Sequence, residues 1–123
     1  MKHNIFQGNI KITKDNQKEW EEKLKNITEI SGDLFVYSNA DLKADQLESV
    51  GGNLFIYANA NLKALKSVGG DLFVYSNANL KALESVGGGL FINSNANLKA
   101  LKSVGGGLSI NSNVMIQFSI INI

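Results

Sequence analysis

The chain has 123 residues, enough for one domain, and a formal net charge of +1, which gives no general attraction to nucleic acid or anionic membranes. It has no cysteine, which excludes disulfide bonds and thiolate chemistry, and its 12 basic residues are all lysine, so the bidentate guanidinium favoured in phosphate recognition is missing. No apolar run reaches the length of about 18 residues typical of a transmembrane helix.

Residues 1–30 differ from the rest of the chain. Apolar residues alternate weakly over residues 4–12, which predicts a strand or a hairpin. Asn16 and Glu19 have the spacing of a helix capping box, and from Trp20 onward apolar residues recur at helical intervals. We therefore predict that residues 1–30 form an N-terminal cap made of a strand and a helix.

One block of sequence then returns almost letter for letter. Its copies begin at Leu54, Leu72, Leu90 and Leu108, at intervals of 18 residues. An earlier copy begins at Leu34 and contains two extra residues, which we place within residues 44–47. A period of about 20 residues predicts a solenoid, in which each coil buries its apolar face against its neighbours. The predicted fold is a β-rich repeat solenoid over residues 31–113.

The coil from residue 71 to residue 88 begins with a β-branched and aromatic run, which predicts a strand. In the other copies the position of Leu72 is always leucine, and the position of Val74 is always valine or isoleucine. The alternate positions accept serine or asparagine in later copies, which a core position would not. Leu72 and Val74 are therefore predicted to face inward, and Phe73 and Tyr75 outward.

The return side of the same coil completes the predicted core. Leu80, Leu83 and Val86 supply three further inward side chains. The glycine pair 87–88 then closes the coil, where glycine permits a positive φ and a sharp corner without a Cβ clash.

Asparagine recurs at one phase of every copy. The equivalent positions are Asn39, Asn59, Asn77, Asn95 and Asn113. Because a carboxamide both donates and accepts hydrogen bonds, we predict that these asparagines form an internal ladder that satisfies the backbone of adjacent coils.

The C-terminal segment 114–123 is apolar and uncharged where earlier coils are polar. Beyond Val114, its apolar residues are Met115, Ile116, Phe118, Ile120, Ile121 and Ile123. Two interpretations stay open. The segment folds back as a strand that closes the solenoid, or it pairs two copies end to end through Ile116, Phe118, Ile120 and Ile121.

The repeat unit resembles leucine-rich repeats, and more closely the receptor L-domain-like repeats of surface proteins. The pattern that carries the resemblance is Gly-Gly-x-Leu-x-Ile-x-x-Asn-x-Asn-Leu-x-x-Leu-x-x-Val, as it stands in residues 51–68. The resemblance covers about residues 30–113 and implies a right-handed solenoid with a parallel sheet on one face.

Two outward columns are candidate binding sites. The aromatic face consists of Phe35, Tyr37, Phe55, Tyr57, Phe73, Tyr75 and Phe91. The lysine ridge consists of Lys43, Lys63, Lys81 and Lys99. The aromatic face suits a protein partner, and the ridge suits an anion or nucleic acid.

No motif combines a nucleophile, a base and a metal or cofactor site, so we predict neither an enzyme nor a bound cofactor. The first hypothesis is a non-enzymatic protein-binding repeat module in the cytoplasm of a bacterial host cell, because the first residues lack the apolar core of a signal peptide. Its small size is typical of phage-encoded inhibitors of bacterial defence, such as anti-CRISPR proteins, which act on protein or ribonucleoprotein complexes. The alternatives are an L-domain-like surface or adhesion fragment, and a solenoid that binds RNA or DNA through the lysine ridge and aromatic stacking.

Overall fold

The computed structural model of the chain describes residues 4–37 and 41–111, and the backbone of residues 116–118. One helix, α1, spans Gln17–Leu24. The strands are β1 Ile5–Phe6, β2 Ile10–Ile12, β3 Glu29–Ile30, β4 Leu34–Val36, β5 Leu42–Lys43, β6 Ser49–Val50, β7 Leu54–Ile56, β8 Ala60–Asn61, β9 Ser67–Val68, β10 Leu72–Val74, β11 Ala78–Asn79, β12 Ser85–Val86, β13 Leu90–Ile92, β14 Ala96–Leu98, β15 Ser103–Val104, β16 Leu108–Ile110 and β17 Ile116–Phe118.

The strands form three parallel sheets along the axis of a solenoid, which confirms the predicted fold class. The valine sheet, named for Val50, Val68, Val86 and Val104, has the order β1-β3-β6-β9-β12-β15. The aromatic sheet, which carries the aromatic face, has the order β16-β13-β10-β7-β4-β2. The asparagine sheet, named for Asn61, Asn79 and Asn97, has the order β17-β14-β11-β8-β5. The solenoid is therefore three-sided, with sheets on three faces rather than on one.

The core is a set of columns in which each apolar side chain meets its equivalent one coil away. Leu72 pairs in register with Leu54 and Leu90, and all three are 0% exposed. Leu80 and Leu83 are also fully buried, as predicted. Burying a side chain of this size stabilises the fold by about 1.5–3 kcal/mol, so each coil depends on its neighbours.

The first coil has a different register from the predicted one. Leu34 pairs with Leu54, twenty residues on, but Leu42 pairs with Ala60, only eighteen residues on. The two extra residues therefore lie between β4 and β5. Their predicted position within residues 44–47 is wrong.

This register exchanges a large and a small side chain in the core. The N–H group of Leu42 donates to the Asn59 carbonyl oxygen, so Leu42 takes the place that Ala60 has in the next coil. Ala44 then takes the place of Leu62. All four of these side chains are buried. One leucine and one alanine fill this part of the core in each coil, and either of them can come first in the sequence. An alignment that matches identical residues does not reveal this exchange.

The glycine pairs are required by close packing between coils. A Cβ atom added to Gly69 or Gly87 would overlap the backbone of the glycine one coil earlier, and one added to Gly70 would overlap both Gly52 and the Asn53 side chain. Among the described glycines only Gly8 has a positive φ, of 119°. The pair 87–88 does not use the positive φ that glycine permits, and glycine is needed there because a Cβ atom would clash with the backbone of the adjacent coil.

A ladder of side-chain hydrogen bonds follows these glycines. In this Asx ladder, Oδ1 of Asn9, Asp33, Asn53 and Asp71 accepts the backbone N–H of the equivalent residue in the next coil, each at 2.7 Å. It ends at Gly89, which donates to Asp71 and has no side chain to continue it.

The asparagine ladder was therefore predicted at the wrong phase. Asn59, Asn77 and Asn95 are exposed. Oδ1 of Asn77 accepts the Ser94 hydroxyl at 3.0 Å and does not bond the backbone of the adjacent coil. Asn39 and Asn113 lie outside the described residues.

The N-terminal segment forms an additional coil of the solenoid. β1 pairs with β3 and β2 pairs with β4, so the two strands belong to different sheets and the alternative of a hairpin is wrong. Helix α1 begins after Asn16, as predicted, but the capping box does not form. Asn16 instead accepts the Thr13 N–H at 2.7 Å and donates to the Lys11 carbonyl oxygen at 3.0 Å.

Helix α1 covers the open edge of the asparagine sheet with side chains. Gln17 donates to the Asp41 carbonyl oxygen at 2.8 Å and accepts the Asp41 N–H at 3.3 Å. Glu21 accepts the Lys43 N–H at 2.9 Å. These contacts satisfy backbone groups of β5 and of the preceding residue, Asp41, that would otherwise be free to pair with another chain.

At the other end, the backbone of residues 116–118 extends the asparagine sheet. β17 pairs in parallel with β14, with Ile116 in register with Ala96 and Phe118 with Leu98. Ile120 and Ile121 lie outside the described residues. Dimerisation through this segment stays a prediction.

The glycine packing predicts that Gly70→Ala destabilises the fold by about 1–3 kcal/mol, because the methyl group enters space that two coils already fill. Gly107→Ala is the matched control, since an added Cβ there meets no atom within 4 Å. Chemical denaturation monitored by circular dichroism measures both. Equal free energies of unfolding for the two variants would contradict this packing.

The Asx ladder predicts that Asn53→Ala lowers the free energy of unfolding by about 1–3 kcal/mol, because the partly buried Asp71 N–H loses its acceptor. Asn77→Ala removes only an exposed contact to a hydroxyl, so we expect a change within about 0.5 kcal/mol. Urea unfolding of the two variants compares them. A larger loss for Asn77→Ala would restore the predicted phase.

Candidate functional site

The aromatic face consists of two columns of parallel rings. Neighbouring phenylalanine centroids are 4.7 to 4.8 Å apart, with ring planes within 6° of parallel. In the tyrosine column the centroids of Tyr37 and Tyr57 are 5.8 Å apart and those of Tyr57 and Tyr75 are 5.2 Å apart. Each ring therefore stacks on its equivalent in the next coil, and the parallel register of the strands fixes this spacing.

The two columns differ in exposure. The phenylalanine rings are half-buried, whereas Tyr57 and Tyr75 are 41% and 44% exposed. Within one coil the rings of Phe55 and Tyr57 are 6.3 Å apart, so the columns form one continuous surface. Because the ring faces cover one another, the groups that this surface exposes to solvent are the ring edges and the tyrosine side chains.

The aromatic face has defined ends. At the N-terminal end, Nζ of Lys11 lies 5.6 Å from the ring centroid of Tyr37. At the C-terminal end, Ser109 pairs in register with Phe91, and Asn93 follows Tyr75 in the outer column. The centre of the apolar surface therefore lies on the coils of β7 and β10.

Carboxylates border the phenylalanine column. Asp33 and Asp71 lie immediately before β4 and β10, two residues before Phe35 and Phe73. One oxygen of each carboxylate accepts a backbone N–H in the Asx ladder. This edge of the aromatic face is thus polar and negatively charged.

The lysine ridge is shorter than predicted. Lys43 pairs in register with Asn61 and not with Lys63, so it lies outside the ridge. The preceding position in the ridge column belongs to Asp45, whose carboxylate lies 3.8 Å from Nζ of Lys63. The ridge therefore consists of Lys63, Lys81 and Lys99, all exposed, and a carboxylate offsets its first charge.

The asparagine sheet carries a shallow groove of about 630 Å³ on its outer surface. Buried alanines form its floor, at Ala60, Ala78 and Ala96. Asparagines border the floor in two columns, Asn59, Asn77 and Asn95 on one side and Asn61, Asn79 and Asn97 on the other. We refer to this surface as the asparagine groove.

Sequence reasoning missed the asparagine groove and the Asx ladder. The signal for the ladder was present, because Asp33, Asn53 and Asp71 each follow a glycine pair or its equivalent. The mixture of Asp, Asn and finally Gly at this phase resembled a surface position. The groove depends on alternation within the short strands, which places both asparagines of each Asn-Ala-Asn unit outward.

Titratable groups are dispersed in the part of the chain that the structure describes. Over residues 4–37 and 41–111, no three His, Cys, Asp or Glu side chains lie close enough together to hold a metal ion. Within the same residues, no helix has the length and apolar character needed to cross a membrane.

Comparison with models of protein families identifies a family over most of the chain. The family model described as Receptor L domain matches residues 4–103. No curated protein and no solved structure matches the chain. The matched span includes β1 to β14 and all seven rings of the aromatic face.

Proposed function

We propose that this chain, which belongs to the receptor L domain family, is a non-enzymatic module that binds a protein partner through its aromatic face. Receptor L domains are ligand-binding modules, which supports a binding role. The observation that carries the proposal is the double column of stacked rings whose outer members remain exposed.

Stacking prepares these rings for binding. A tyrosine held between two neighbours has already lost most of its rotational freedom, so contact with a partner costs little further entropy. Binding hot spots favour tyrosine at central, desolvated positions. We therefore assign the centre of the interface to Phe55, Tyr57, Phe73 and Tyr75, away from Lys11 at one end and Asn93 at the other.

The same geometry favours a protein over a nucleic acid. Bases bind aromatic side chains by stacking on a free ring face. Here centroid distances of 4.7 to 4.8 Å leave no space between neighbouring phenylalanines for a base. Ring edges and the tyrosine hydroxyls, by contrast, suit the apolar side chains and hydrogen-bonding groups of a protein surface.

A narrower form of the proposal names a bacterial defence complex, such as a CRISPR effector, as the partner. That form rests on the small size of the chain alone. The contacts of the aromatic face suit other protein surfaces equally well.

The test is the double variant Tyr57→Asn with Tyr75→Asn. Asparagine already stands in this column at Asn93 and Asn111, whose side chains bond each other at 2.9 Å, so the coils accept it. We expect a folded protein that loses about 0.5–1.5 kcal/mol per ring pair, and a partner affinity reduced by about tenfold or more. Affinity capture from host lysate with quantitative mass spectrometry, followed by titration calorimetry with the captured protein, measures the loss.

The matched control is Lys63→Ala with Lys81→Ala, which alters the ridge and leaves the rings intact. A protein held by the unaltered chain and by the lysine variant, but not by the tyrosine variant, supports the proposal. Capture of the same proteins by the tyrosine variant, or their loss only from the lysine variant, would move the site to the ridge.

A further inference from the structure

The asparagine groove lies on a different sheet from the aromatic face and has different chemistry. Its side chains are carboxamides above an alanine floor, and Lys81 forms part of its border. Its volume of about 630 Å³ is within the range of small-ligand sites, which is about 300–1,000 Å³. It contains none of the rings described above.

The carboxamide oxygens of Asn77, Asn79 and Asn97 are already engaged with the protein, whereas Oδ1 of Asn61 is buried without a hydrogen-bond partner among the described residues. Oδ1 of Asn79 accepts the Lys81 N–H at 3.3 Å, and Oδ1 of Asn97 accepts the Lys99 N–H at 3.3 Å. Oδ1 of Asn77 accepts the Ser94 hydroxyl on the other side of the groove. The amide nitrogen of each of these side chains can therefore donate hydrogen bonds to a ligand.

In the part of the chain that the structure describes, no protein acceptor lies within hydrogen-bonding distance of Nδ2 of Asn77, Asn79 or Asn97. The coils repeat at about 4.8 Å, so the donors of Asn79 and Asn97 form a row parallel to the solenoid axis, and the donor of Asn77 lies across the alanine floor. Donors placed in this way along both sides of a groove match a ligand that presents several oxygen acceptors along its length.

The charge of the groove changes along its length. Asp41 stands at its N-terminal end, whereas Lys81 borders its middle and Lys99 occupies the equivalent position one coil later. Among the described residues, no carboxylate lies within ion-pair distance of either of these lysines. A ligand with acidic groups would therefore lie over the later coils, away from Asp41.

We propose that the asparagine groove binds a segment of an acidic polysaccharide, a linear chain rich in hydroxyl groups that carries carboxylates. Its hydroxyl and ring oxygens would accept the N–H groups of Asn77, Asn79 and Asn97. A carboxylate would pair with Lys81. The absence of arginine from the chain and of the aromatic rings from the groove disfavours single-stranded nucleic acid, which binds by backbone contacts and base stacking.

The key variant is Asn79→Asp. An aspartate retains the oxygen that accepts the Lys81 N–H, so the local turn is preserved, but it replaces the amide donors with a negative charge. The control is Asn53→Asp, which adds the same charge to the Asx ladder, where Asp33 and Asp71 already occupy equivalent positions.

The probe is an oligogalacturonate of three to six sugars, with cellohexaose as the neutral analogue and oligo(dT) as the nucleic acid. We expect oligogalacturonate to shift the NMR signals of the Asn77, Asn79 and Asn97 side-chain amides and to bind more tightly than cellohexaose. We expect Asn79→Asp to raise its Kd by about tenfold or more and Asn53→Asp to change it less than about twofold.

Three results would overturn the proposal. The first is the absence of NMR shifts at the groove amides, and the second is tighter binding of oligo(dT) than of oligogalacturonate at these amides. The third is an equal loss of affinity in Asn79→Asp and Asn53→Asp, which would indicate general charge repulsion. None of them bears on the tyrosine variant, so failure here leaves the proposed protein interface standing.

Discussion

The structure depends on one constraint, which is that coils stacked in parallel and in register place every residue beside its equivalent one coil away. Backbone hydrogen bonds set the separation at about 4.8 Å, and each position must suit a close neighbour of its own kind. Leucine and valine satisfy this by filling the interior, phenylalanine by stacking its rings, and glycine by allowing the backbones at Gly69 and Gly87 to approach. Asparagine and aspartate satisfy it by accepting the next backbone N–H. The sequence therefore repeats because each position must pack against the equivalent position of the next coil.

The same constraint explains how much of the fold could be predicted from the sequence. The period and the invariant positions of Leu72 and Val74 were enough to predict the solenoid and the direction of each strand side chain. The ladder could not be located in the same way, because Asn77 recurs as an unchanging letter on the surface, whereas the ladder position alternates between Asp and Asn. The constant asparagine column is therefore exposed to solvent, and the side chains that accept backbone N–H groups lie in the column that mixes Asp and Asn.

The first coil shows why register cannot be read from matching letters. Alignment of identical residues places Lys43 with Lys63, but the fold pairs Lys43 with Asn61, because Leu42 and Ala44 fill the interior in the reverse order from Ala60 and Leu62. The lysine ridge lost its first member for this reason. The outward direction of the rings of the aromatic face was predicted correctly, because no residue is inserted within the strands that carry them.

The two ends of the solenoid are unequal. At the N-terminal end, Gln17 and Glu21 complete the edge of β5, and the Asx ladder already begins at Asn9. The ladder stops at Gly89, and Leu108 in the outermost strand of the aromatic sheet is only half-buried. A ribosome releases the N-terminal end first, so the finished end exists before the coils that will rest on it have been made. The completed N-terminal coils are therefore available as a packing surface when the later coils leave the ribosome, and each coil of a solenoid packs only on its neighbours.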